Sequence, residues 1–198
     1  MKRRTFDYLM SAAGVVIVLV LIVAGALLMW GASFANNSVH NQLAAQEIYF
    51  PPKSAFAHAK PGTEITPSMI PSVSQYAGQQ LLTGQQAGVW ANTFIAVHLS
   101  ELPHRGVYAT LSTLSRANPT TKKLVALVTT SFRGTTLRGL LLEAYAFSEI
   151  GVVMLWGAIA SFVLAAVMAL LVGLGFWHAR QTTEEEQLLA PTPVPASS

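Results

Sequence analysis

The chain has 198 residues, of which 52% are hydrophobic and only 11% charged, against about 25% charged in an average soluble domain, so its composition is that of a membrane protein. Cysteine is absent, which excludes disulfides, thiolate metal sites, cysteine-held iron–sulfur clusters and cysteine nucleophiles. The formal charge of +3 is carried by scattered basic residues, a distribution that excludes a nucleic-acid interface.

Lys2, Arg3 and Arg4 precede an apolar run over residues 9–30. Basic residues flanking a first span hold that end in the cytoplasm. A signal peptide has an apolar core of about 7–15 residues; this run has 22, so cleavage near Ser33-Phe34-Ala35 is not expected and the run reads as a retained anchor. Val39, Leu43, Ala44, Glu47 and Ile48 continue the helical period, which predicts that the first helix extends outward until Pro51-Pro52 stop it. Residues 51–71 hold five prolines and Gly62, a composition for an irregular connection open to movement or to a partner.

Thr83 and Gln86 have capping-box spacing, and Val89, Trp90, Phe94, Val97, His98 and Leu102 follow with apolar helical periodicity up to Pro103. Shorter helices are predicted over 107–116 and 120–132, with Gly134 as a C-cap and Thr135 or Thr136 as the next N-cap. One long helix then covers residues 136–177. From Ile150 to Trp177 it contains no Asp, Glu, Lys, Arg, Asn or Gln, longer than the ~20 apolar residues that cross a hydrocarbon core.

The pairs Tyr8 with Trp30 and Trp156 with Trp177 each mark off about 32 Å of helix, the separation of interfacial aromatic belts. Two spans return the C-terminus to the cytoplasm, where His178 and Arg180 follow Trp177. The intervening segment carries eight basic residues and five Glu, but loops longer than about 60 residues escape the positive-inside rule. Glu184-Glu185-Glu186 with Pro191, Pro193 and Pro195 predict a disordered tail.

The resulting expectation is an all-α membrane protein with two transmembrane helices extended into a small helical extracytoplasmic domain. Its divisions are 1–7 (cytoplasmic N-terminus), 8–34 (first span), 35–147 (extracytoplasmic domain), 148–178 (second span) and 179–198 (cytoplasmic tail). It places the chain in the plasma membrane as a multi-pass protein with both termini inside. Gly157, Ser161, Ala165, Ala169 and Gly173 recur at every fourth position of the second span. Such a stripe lets another helix approach closely in lipid, whether the first span, a second copy or another protein. Membrane lipid and a protein partner or homo-oligomer through this span are the expected partners.

Motifs for chemistry are sparse. His98, Glu101 and His104 have helical spacing and ligand types for a metal, but Pro103 ends the helix before His104, there is no HExxH, and a His on an apolar face is more often simply packed. No GxSxG, Walker loop or GxGxxG occurs, and Asp7 is the sole Asp. Arg133 and Arg138 sit near the predicted start of the long helix as a candidate anion contact, or as its solvated basic end. No cofactor or catalytic residue is implied. The reading is a non-enzymatic integral membrane protein, an accessory or scaffold subunit of an envelope or membrane assembly. The alternatives are a sensor of an extracytoplasmic ligand and a membrane-bound metal-dependent oxidoreductase.

Arg3-Arg4-Thr5-Phe6-Asp7-Tyr8, residues 46–52 (Gln-Glu-Ile-Tyr-Phe-Pro-Pro), 62–71 (Gly-Thr-Glu-Ile-Thr-Pro-Ser-Met-Ile-Pro) and 133–145 resemble a family of uncharacterised bacterial two-span membrane proteins. Some of its members carry the label aromatic ring-opening dioxygenase. The resemblance covers the chain apart from the tail. An extradiol iron site takes two His and one carboxylate around open positions, and the set this chain offers for it is His98, Glu101 and His104.

Overall fold

A computed structural model describes residues 3–181. Lys2 and the tail expected to be disordered beyond Gln181 lie outside the described residues. Those described are all-α: α1 (Arg3–Ala44), α2 (Lys53–Phe56), α3 (Ile70–Val73), α4 (Gly84–Val89), α5 (Ala96–Glu101), α6 (Tyr108–Ala117) and α7 (Lys122–Gln181). Short 3₁₀ turns occupy Ser74–Tyr76 and Pro103–Gly106, and a π-helical turn, Trp90–Ile95, joins α4 to α5. Helices α1 and α7 are long and apolar enough to cross a membrane, and only 11% and 6% of their most apolar stretches is buried within the chain. A core helix of a soluble protein would be largely covered.

The chain divides into two compact units, one from Met1–Gly31 with Val153–Ser198 and the other Ala32–Val152. The first is an antiparallel pair built from parts of α1 and α7. Among the covered positions, Ser11, Gly14, Val18, Leu21, Gly25 and Leu28 run along α1 and Ala158, Ser161, Ala165, Met168, Val172, Gly175 and Ala179 along α7. Both series step alternately by three and four residues, the period of coiled-coil-like seams. Glycines set how close the helices come. A Cβ on Gly14 would run into Val172, one on Gly25 would lie 2.9 Å from the Phe162 ring, and one on Gly175 would lie 2.6 Å from Ser11 Oγ.

The second unit has a conventional core. Val39 and Leu43 of α1, Phe50, Met69, Val73, Leu81, Ala87, Ala91, Ile95 and Leu141 of α7 form one buried cluster. The capping box forms as expected: Gln86 N donates to Thr83 Oγ1 (3.2 Å) and Thr83 N donates to Gln86 Oε1 (3.0 Å). Gly84, directly after the cap, and Gly88, one helical turn later, face α7, where Ser148 and the Tyr145 ring occupy the space their Cβ atoms would need. The proline-rich segment is irregular for most of its length, yet Ile65, Thr66 and Met69 are buried, so it is pinned to the core.

Two boundaries differ from expectation. Helix α1 stops at Ala44, short of Pro51-Pro52, because the chain turns through Glu47 at φ 51° and Gln80 Nε2 donates to the Ala44 carbonyl (3.0 Å), satisfying one of the end carbonyls. Helix α7 starts at Lys122 and runs unbroken through Gly134, so Gly134 is no C-cap and Thr135 and Thr136 are no N-caps. Gly134 is instead a close-approach position: a Cβ there would lie 2.8 Å from Leu99 Cδ2.

Candidate functional site

Arg133 and Arg138 both lie inside continuous α7, where the backbone amides are already bonded within the helix, so the helix-start argument for an anion contact does not apply to them. They are five residues apart, about 140° around the axis, and serve different ends. Arg138 Nε donates to Ala91 O (3.2 Å) and its Nη2 to Asn92 Oδ1 (2.9 Å). Ala91 belongs to the π turn, where its carbonyl accepts from Ala96 N, and Arg138 adds a second donor. Arg133 is exposed.

His98 is half-buried at the end of α5; its Nδ1–H donates to Phe94 O (2.8 Å) and its ring lies 4.8 Å from Phe94. Glu101 and His104 are exposed, and His104 lies beyond Pro103 at φ 55°. Among the described residues no three His, Cys, Asp or Glu side chains are grouped as a metal ion requires. Of the small-residue stripe, Ala165 is buried, Gly157 and Ser161 are half-buried, and Ala169 and Gly173 are exposed. A Cβ on Gly157 would lie 3.2 Å from Leu28 of α1, and one on Gly173 would meet nothing within 4 Å. Asp7 precedes Ser11 on the α1 seam, and its Oδ2 is buried without a hydrogen bond among the described residues.

Two concave features of the second unit were not foreseen from the sequence. The first is a groove of about 460 Å³ between the C-terminal end of α1 and α7, walled by Leu43, Ile48, Leu137, Leu140, Leu141 and Phe147, with Glu143 in its lining. The second is a cleft of about 450 Å³. Phe50, Trp90 and Phe94 line it and belong to an aromatic ladder that continues to Tyr76: Tyr76 and Phe50 at 5.1 Å, Phe50 and Trp90 edge-to-face at 5.0 Å, Trp90 and Phe94 stacked at 4.4 Å. In a straight α-helix Trp90 and Phe94 already share a face; here both lie in the π turn, a feature frequent at functional sites.

Comparison with protein-family models, with curated proteins and with solved structures finds no match. The site is therefore defined by its geometry. The rest of the cleft wall is Ile48, Tyr49, Pro51, Pro52, Ala55, Glu64 and Ile65. Backbone bonds hold this wall: Leu81 N to Ile48 O (2.8 Å), Phe50 N to Gln79 O (2.9 Å), Gly78 N to Pro51 O (3.1 Å) and Lys60 N to Ile65 O (3.1 Å). The charged residue among those lining it is Glu64, an exposed carboxylate with no ion-pair partner among the described residues. The arrangement offers ring surface, one negative charge and a preformed shape, and it holds no nucleophile–base pair.

Proposed function

We propose that the chain is a plasma-membrane protein that crosses the bilayer twice with both termini in the cytoplasm. In this reading the Ala32–Val152 unit lies outside and works as the interaction module of an accessory or scaffold subunit. The observation that carries the reading is the apolar groove. Leu137, Leu140 and Phe147 border it at 40%, 59% and 39% exposure, although the unit has a complete core of its own. Contiguous exposed apolar surface rimmed by polar residues is characteristic of an interaction site, and here Gln42, Gln46 and Glu143 supply the rim. The partner through the second span would engage Ala169 and Gly173, since Gly157, Ser161 and Ala165 lie toward α1.

Photocrosslinking in intact cells tests this reading. A benzoylphenylalanine at Leu140 is expected to give a discrete protein adduct that the same residue at exposed Lys123 does not. Lipid adducts alone at Leu140, or equal protein adducts at both positions, would contradict it.

A further inference from the structure

The aromatic cleft adjoins the groove at Ile48, which lines both, and carries its own chemistry. Trp90 and Phe94 are only half-buried and Tyr49 is 57% exposed, so the ladder leaves ring surface open where a purely structural cluster would have closed over it. Aromatic faces carry negative quadrupole potential and attract organic cations. The charge beside them has the same sign, because Glu64 is the charged residue of the lining. Proline and isoleucine complete the wall, offering dispersion contacts to alkyl groups. A simple metal ion finds a single carboxylate here, short of the six to eight oxygen ligands calcium takes. A neutral apolar ligand leaves Glu64 without a role.

We propose that this cleft binds a small organic ammonium ion, with its alkylated head against Trp90, Phe94 and Tyr49 and its charge balanced by Glu64. The volume of about 450 Å³ is in the range of ordinary small-molecule sites and admits a trimethylammonium or alkylamine compound. A free solute fits better than a phosphocholine headgroup, because the phosphate of the latter brings negative charge toward Glu64.

The test is calorimetric titration of the full chain in detergent, with choline as probe and 3,3-dimethylbutan-1-ol as its uncharged isostere. Choline is expected to bind saturably and at least about fivefold more tightly than the isostere, the advantage a cation gains over an aromatic surface. Glu64→Gln, at an exposed position, should weaken choline at least about threefold without changing the melting temperature. Trp90→Leu should abolish binding. Phosphocholine should bind more weakly than choline; equal binding would assign the site to lipid headgroups and overturn the assignment to a free solute. Absence of saturable choline binding, equal affinity for the isostere, or full affinity in Glu64→Gln would each overturn the proposal.

Discussion

His104, Arg105 and Gly106 follow one another at φ 55°, 55° and 65°, a left-handed turn in which only the third residue is suited to its conformation. Each non-glycine residue there costs about 1–2 kcal/mol. The turn is held by Ser131, whose Oγ donates to Gly106 O (2.5 Å) from a fully buried position, and by the close fit of Gly106 against Leu99 O. Arg105→Gly is therefore expected to stabilise the protein by about 1 kcal/mol, whereas Gly106→Ala should destabilise it, as thermal unfolding in detergent will report. An Arg105→Gly variant that melts earlier would show that the arginine side chain has a role beyond the backbone. Arg138 is the second residue with a defined task. Arg138→Leu removes a donor from Ala91 O and Asn92 and should cost about 1–3 kcal/mol, while Arg133→Leu should stay within about 0.5 kcal/mol. Equal losses in the two variants would contradict the different roles assigned to them.

At the scale of elements, the helix pair explains why an every-fourth-residue stripe does not stay on one interface. Four residues turn a helix by about 400°, so each step drifts about 40° and Gly173 ends nearly opposite Gly157. The observed seam alternates three and four and passes through Ala158, Ser161, Ala165, Met168 and Val172. In lipid, close packing is a large share of what holds helices together, so Gly14→Leu and Gly25→Leu should lower the melting temperature, with Gly173→Leu mild. Equal tolerance at all three would mean that the seam does not hold the pair. What could be read in the sequence was local: the Thr83–Gln86 box, the stop at Pro103 and the helix after Val107 depend on neighbours a few residues away. What could not be read was long-range. The end of α1 depends on Gln80, 36 residues beyond Ala44. Gly134 looks like a cap until Leu99 is placed against it, and the aromatic cleft gathers residues 48–52, 64–65 and 90–94 from three separate segments.

At the scale of the whole molecule, composition alone points to a membrane protein, and α1 and α7 are long and apolar enough to cross a membrane, with little of their most apolar stretches buried within the chain. The proposed orientation rests on Lys2, Arg3 and Arg4 before the first apolar run. The natural chain has no cysteine, so single cysteines report without background. The most direct test of the account is labelling of Ser54→Cys, Ser115→Cys and Ser197→Cys in intact cells with a membrane-impermeant thiol reagent. The first two are expected to react, and the third only after the membrane is opened. Labelling of Ser197→Cys alone in intact cells would reverse the orientation and place the Ala32–Val152 unit, with its groove and aromatic cleft, in the cytoplasm.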